Sequence, residues 1–260
     1  MIKRFIADIK KYFRYSLVSA KAQLKTEVAN SYLNWIWWVL NPLCFMLIYT
    51  FIFGYVFQSK EQFFPVFIFI GLSMWDFFNH TFKNSVKIVK RNKSVVSRVY
   101  FPKYILIISQ LLADGFKMMI SFGIVVLMML VFRVPLSWNV LFFLPILLVL
   151  AIFTFGCSCF VLHFGVYVED LSNVINIVLR FLFYLTGIFY NVEKKIPEIG
   201  VYLNRYNPLA FLISAMRQSL IYSELPDLRY LCLWLAVSLL LAMGGVALIY
   251  KEENSYLKAV

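Results

Sequence analysis

Six stretches of the chain, 33–57, 63–82, 104–132, 139–164, 171–190 and 229–250, are apolar over about twenty residues or more. A hydrocarbon core of about 30 Å is crossed by roughly 20 residues of helix, and backbone inside lipid must satisfy its own polar groups. The expected fold is therefore an all-α integral membrane protein with six transmembrane helices. Composition agrees: 15% of residues are charged, against about a quarter in a soluble domain. The segment NPLAFLISAMRQSLI, 207–221, is apolar but short and carries Arg217. It reads as a re-entrant or interfacial helix, not as a seventh span.

The chain holds 25 Lys and Arg against 13 Asp and Glu. In a membrane protein this excess collects in cytoplasmic loops and does not signal nucleic acid. Seven cations precede the first span, and seven more, with no acid, lie in the 83–103 loop between spans 2 and 3. The loops after spans 1 and 3 have one each, Lys60 and Arg133. The positive-inside rule makes the N-terminus and the 83–103 loop cytoplasmic, and six spans return the C-terminus to that side. By the same parity 191–228 is external. Apolar side chains at 2, 5, 6, 9, 12, 13, 17, 20 and 24 fall within about 140° of arc at 100° per residue. Residues 1–32 are thus an amphipathic helix on the inner membrane surface. The first long apolar stretch begins only after about thirty charged, amphipathic residues, so no cleaved signal peptide is expected. Cys44, Cys157, Cys159 and Cys232 all lie in apolar runs and read as packing residues, with no metal site.

Two spans have a polar face. One side of span 1 collects Asn34, Trp38, Asn41, Phe45 and Tyr49, and its other side is aliphatic, suited to lipid. Span 5 repeats the pattern, with Asn173, Asn176, Arg180 and Tyr184 opposite Ile175, Val178, Leu179, Leu182 and Phe189. Arg180 sits near mid-membrane, where an ionisable residue marks either a functional site or a structural pairing to carbonyls or a neighbouring helix. Asp114 and Lys117, at i and i+3 in span 3, can neutralise each other. Asp76, Asn79, His80 and Lys83 climb one side of span 2, most simply as a helix end approaching water.

Some chemistry is missing. There is no G-x-x-x-x-G-K-[ST], G-x-S-x-G or H-E-x-x-H, so this polypeptide is expected neither to hydrolyse ATP nor to act as an enzyme, and no catalytic residue is assigned. Six spans are about half of what most pores made of helical repeats require, which points to a dimer.

The run SYLNWIWWVLNPLCFMLIYTFIF, the cationic loop ending SRVYFPKYIL, and YNPLAFLISAMRQSLIY before the last span together resemble the permease subunits of ABC-2 type polysaccharide exporters. The likeness covers nearly the whole chain in order. It implies one transmembrane domain over 1–260: interface helix 1–32, spans 1 to 5 over 33–190, external re-entrant helices in 191–228, and span 6 over 229–250. It also implies a homodimer in the cytoplasmic membrane above two copies of a separate ATPase, which would hold the ATP and Mg. The cargo implied is capsule, O-antigen or teichoic-acid polysaccharide in lipid-linked form. On this resemblance the 83–103 loop carries the coupling helix, with Lys87, Lys90, Arg91, Lys93 and Arg98 as ATPase-contact candidates. Asp170 joins them and also reads as the N-cap of span 5. Where the family often has an Arg-Asp pair, this chain has Glu169 and Asp170.

A sugar chain has hydroxyl rims and C–H faces, so a conduit for it needs flat aromatic surfaces and hydrogen-bonding groups. The two polar faces supply both. An ABC-2 exporter of drugs or small lipids would share the architecture, while a membrane enzyme or secondary transporter for lipid-linked sugars would need features that are weak here. In NWIWWVLNP, 34–42, Trp35 and Trp37 read as interface anchors and Trp38 as the ring that meets the moving chain. Pro42 removes a helix hydrogen bond and can bend span 1.

Overall fold

The computed structural model describes residues 2–29, 32–58, 61–192 and 197–259, and these are helical, with no strand among them. Helix α1 (Ile2–Val28) precedes a 3₁₀ turn at Asn34–Ile36 and α2 (Trp37–Tyr49), which continues as a π-helical segment, Thr50–Val56. Then come α3 (Phe64–Val86), the single-turn helices α4 (Ile88–Arg91) and α5 (Lys93–Val96), and α6 (Tyr104–Val131). A 3₁₀ turn at Trp138–Phe142 leads into α7 (Phe143–Tyr167), followed by α8 (Leu171–Leu185). The short helices α9 (Pro197–Tyr206) and α10 (Pro208–Leu220) precede α11 (Leu228–Ala259).

Helix α3 is the centre of the bundle. Val66 to Ile70 are almost fully buried, and α3 packs against α2, α6, α7, α8 and α10. Helices α7 and α11 make the most extensive pair. Glycine lets them approach: a Cβ at Gly156 would lie 2.8 Å from the Ala242 nitrogen, and one at Gly245 would lie 2.5 Å from the Cys159 Cβ. In lipid, where apolar side chains gain little by leaving the solvent, such small-residue contacts are a main source of helix association. Buried Cys159 is part of that seam, in the packing role its apolar setting indicates.

Four helical stretches are long and apolar enough to cross a membrane: Trp37–Val56, Tyr104–Val131, Trp138–Tyr167 and Leu228–Glu253. They correspond to expected spans 1, 3, 4 and 6. The two remaining expected spans are helices of a different character. Helix α3 has 23 residues, but its second half carries Asp76, Asn79, His80 and Lys83. Helix α8 has 15 residues, about 22 Å of rise, shorter than the hydrocarbon core.

Several local expectations are revised. The apolar side of α1 does two jobs. Phe5 and Tyr12 pack on the bundle, whereas Ile6, Phe13 and Leu17 stay exposed. The aliphatic side of α8 was expected to meet lipid, yet Ile175 and Leu179 are buried, as is Phe189 just beyond it. Because α8 leans on α3, its outward apolar side is Val174, Ile177, Val178 and Phe181, of which only Val178 belongs to the expected lipid-facing set. Asp170 holds the N-cap position of α8, but its side chain makes no capping hydrogen bond. Helix α2 runs through Pro42, and the helix changes form only at the π segment.

Candidate functional site

A cavity of about 650 Å³ opens between α2, α3 and α8. Asn41, Phe45 and Tyr49 come from α2, and Trp75, Asp76, Asn79, His80 and Lys83 from α3. Helix α8 contributes Asn176, Arg180, Phe183 and Tyr184. The polar stripes of the expected first and fifth spans therefore meet across one space, with α3 as its third wall. The rings are joined: Tyr49 and Phe183 lie 6.4 Å apart between centroids, and Trp75 and Phe183 5.4 Å. Phe45 stacks on Tyr49 at 6.2 Å. The α3 contribution, read from sequence as a helix end approaching water, is part of the wall.

Two of the stripe residues, Asn173 and Trp38, lie elsewhere. Asn173 is exposed and outside the cavity lining. The Asn34 side chain falls outside the described residues. Trp38 packs edge-on to Phe116 at 6.2 Å and lines a second cavity of about 220 Å³. That smaller cavity shares Asn41, Asp76 and His80 with the larger one and adds Glu27, Asp114 and Lys117.

Asp114 and Lys117 do pair, at 3.1 Å. They are also part of a larger network, since the Lys117 ammonium lies 2.9 Å from Glu27 of α1. Thr81 of α3 and Gln110 donate to Asp114 at 2.9 Å each. The network joins α1, α3 and α6, and each oxygen of the buried Asp114 carboxylate has a donor or cation. Glu27 was not singled out in the sequence because nothing local ties it to a residue ninety positions on.

At the end of the bundle where α3 finishes, α4 and α5 form the loop that carries Lys87, Lys90, Arg91, Lys93 and Arg98. All of these except Lys90 are exposed. Lys90 lies 3.8 Å from Glu169, linking this loop to the α7–α8 turn that also holds Asp170. The loop is pinned beneath by apolar Ile88, Val89 and Val96. Its far end is fixed by a polar cluster: Tyr104 and Tyr250 donate to Asp8 of α1 at 3.0 and 2.6 Å, and Tyr100 donates to Glu253 at 2.9 Å. Lys103, fully buried there, donates to the Phe101 carbonyl at 3.1 Å, and burial pushes its ammonium below the usual lysine range.

At the opposite end, α10 lies inside the bundle. Asn207 caps it, accepting from the Leu209 and Ala210 amides at 3.1 and 3.4 Å, ahead of Pro208 in the first turn. Arg217 projects from α10 and is 4% exposed. Its guanidinium donates to the carbonyls of Phe67 (3.1 Å), Gly187 (2.9 Å) and Ile188 (2.8 Å) and lies 3.4 Å from the Phe67 ring centre. One side chain thus ties α10 to the first turn of α3 and to the turn after α8. Gly71 makes room for it, since a Cβ there would lie 2.6 Å from Nη2.

Among the described residues no group of His, Cys, Asp and Glu could hold a metal ion. The chain is similar to the O-antigen export system permease protein RfbA of Klebsiella pneumoniae, at 26% identity over 245 residues covering 94% of each. It is similar to the RfbA of Myxococcus xanthus at 21% identity over 258 residues, 99% of each. The polysialic acid transport protein KpsM of Escherichia coli is 24% identical over 243 residues, 90% of this chain and 92% of that protein. The ABC-2 type transporter family matches residues 17–221. A bundle with several membrane-length helices and a cavity lined by rings and amides fits that match, and the chain belongs to the ABC-2 type transporter family as a multi-pass membrane protein.

Proposed function

We propose that the chain is the permease subunit of an ATP-driven exporter that moves a polysaccharide, in lipid-linked form, across the cytoplasmic membrane. The relatives are permeases and transport proteins for O-antigen and polysialic acid, which sets the cargo class. The observation that carries the reading is the cavity where Asn41, Phe45 and Tyr49 of α2 face Asn176, Arg180 and Tyr184 of α8. Rings offer flat surfaces to sugar C–H faces, and amides and hydroxyls exchange hydrogen bonds with sugar hydroxyls without a tight site. A chain can slide through such a lining.

In this reading the whole chain forms one transmembrane domain. Helices α3 and α8 complete six spans, both termini are cytoplasmic, and α9 and α10 are re-entrant at the external mouth. Two copies face each other, with the α2 and α8 stripes lining the conduit between them. ATP and Mg belong to a pair of separate ATPase subunits below. Lys87, Arg91, Lys93 and Arg98, exposed on α4, α5 and the loop after them, form the docking surface. The Lys90–Glu169 contact passes motion from it to Asp170 and α8.

Cysteine substitution along α2 and α8 tests the conduit. A small aqueous thiol reagent should label positions 41, 45, 176, 180 and 184 faster than 40, 47, 177 and 181. Uniform labelling around both helices would remove the conduit assignment. Charge reversal of Lys87, Arg91 and Lys93 together should release the ATPase during purification; full retention with normal export would remove the docking assignment.

A further inference from the structure

A groove of about 290 Å³ lies at the end of α6 away from the cationic loop, and it shares no residue with the two cavities described above. Phe122, Val126, Met129 and Leu130 of α6 form one wall, and Phe143 of α7 with Leu220 of α10 forms the other. The lining is apolar except for Arg133, which stands just past the end of α6. Among the described residues the exposed Arg133 side chain has no hydrogen bond or ion pair.

The backbone sets Arg133 apart as well. Its φ is +54°, and the Arg133 and Val134 amides donate back to the Leu130 and Met129 carbonyls at 3.3 and 2.9 Å. This is the helix-ending turn that ordinarily takes glycine, because a side chain in the left-handed region is strained. A residue kept in such a conformation marks a role outside local folding. The turn itself is held in place. The Asn139 side-chain amide donates to the Ser223 carbonyl at 2.7 Å, and the Ser223 hydroxyl donates to the Pro135 carbonyl at 3.0 Å. The groove is therefore already formed beside α10, as ligand sites usually are.

We infer that the groove holds one acyl chain of an anionic membrane phospholipid, with the lipid phosphate on Arg133. Length, width and charge agree on this occupant. From Phe122 to the helix end at Val131 is about 14 Å of rise, close to half the thickness of a hydrocarbon core of about 30 Å. A lipid chain entering at the membrane surface therefore ends where the groove ends. A helix of a second copy, ~10 Å across, would need roughly 1,100 Å³ over the same length, several times the volume present. A single acyl chain is slender enough to enter. At the mouth, the Arg133 guanidinium fork matches phosphate oxygens. Trp138, exposed in the same turn, is a ring type that lies at headgroup level. A lipid seated there touches α6, α7 and α10 together, and its binding does not depend on which cargo the protein moves.

The test titrates the full chain in detergent with phosphatidylglycerol or phosphatidylcholine and reads the affinity of the most tightly held lipid by native mass spectrometry. Wild type should hold phosphatidylglycerol about tenfold more tightly than phosphatidylcholine. Arg133→Gly should lose that preference, while Arg133→Lys keeps most of it. In lipid-free detergent the thermal midpoint of Arg133→Gly should not fall, since glycine suits the turn; Arg133→Asn, which also suits it, gives the same readouts. Val126→Trp, which fills the groove, should weaken both lipids alike. Equal affinity of wild type for the two lipids overturns the inference, and so does an undiminished preference in Arg133→Gly and Arg133→Asn. Unchanged phosphatidylglycerol binding by Val126→Trp places the lipid outside the groove and also overturns it. Tighter binding of polyprenyl phosphate than of phosphatidylglycerol, with the same dependence on Arg133, would assign the groove to a carrier lipid instead.

Discussion

Arg180 and Arg217 are both arginines set in apolar helices, and their surroundings are opposite. Arg217 is buried and donates to three backbone carbonyls from two other segments. The Gly187 and Ile188 carbonyls stand in the turn after α8, where the chain leaves them without helical partners, so the guanidinium supplies what the backbone lacks; the Phe67 carbonyl, in the first turn of α3, takes it as a second donor. Arg180 is exposed on the wall of a cavity about 650 Å³ in volume, with amides, rings and a second cation around it. The first arginine is consumed by the fold and the second is left over for a ligand. Residue type does not distinguish them; the count of acceptors within reach does.

The largest effect should come from emptying the first site. Arg217→Ala leaves the Gly187 and Ile188 carbonyls without a donor and a hole beside Phe67, a loss of about 3–5 kcal/mol. Thermal unfolding followed by size-exclusion in detergent should show a midpoint lower by about 10 °C. Arg217→Lys should recover only part of this, because one ammonium cannot reach three divergent acceptors with a planar fork. Wild-type stability in Arg217→Ala would erase the contrast between the two arginines.

A smaller effect is expected one step away. Gly187 has φ of +66°, and a Cβ there would lie 2.3 Å from the Val192 side chain. Its carbonyl is one of the three that Arg217 holds. Gly187→Ala should cost about 1–3 kcal/mol through backbone strain and displacement of that carbonyl. If the staple is one unit, combining Gly187→Ala with Arg217→Ala should cost less than the sum of the two. Strict additivity in the measured midpoints would separate the turn from the arginine. Smaller again is Glu27→Gln, which keeps the shape but weakens the contact with Lys117; the Asp114 partner remains, so about 1 kcal/mol or less is expected.

These contrasts also show what the sequence could reveal. The helical class, the membrane-length runs and the two polar stripes follow from composition and 3.6-residue periodicity, both local properties. The Asp114–Lys117 pair followed from i, i+3 spacing, but Glu27 did not, because its partner is set by how α1 lies on α6. Trp38 shares a stripe with Asn41 yet faces Phe116 and the smaller cavity, since helix phase fixes a face without saying which neighbour meets it. The third wall of the cavity was legible only in part. Asp76 to Lys83 read as a helix end approaching water, and His80 and Lys83 are exposed there, but that the same residues line a cavity depends on how α2 and α8 flank α3. Arg217 marked its helix as unsuited to span, but no periodicity could show that carbonyls from residues 67, 187 and 188 would converge on it.

The smallest effect on stability should accompany a large effect on transport. Arg180→Gln removes no hydrogen bond or ion pair among the described residues and leaves an exposed amide in its place. Such a change ordinarily stays within about 0.5 kcal/mol, so the thermal midpoint should not move measurably. Polysaccharide export by cells carrying the variant should nonetheless fall several-fold, because the amide keeps the polarity and loses the charge. Arg180→Lys, which keeps the charge without the fork, should fall between wild type and Arg180→Gln. An unfolding midpoint that drops with Arg180→Gln as it does with Arg217→Ala would place both arginines in the fold. A midpoint and an export rate that both stay at wild type would leave Arg180 with no part in either, and the α8 stripe would then have to work through Asn176 and Tyr184 alone.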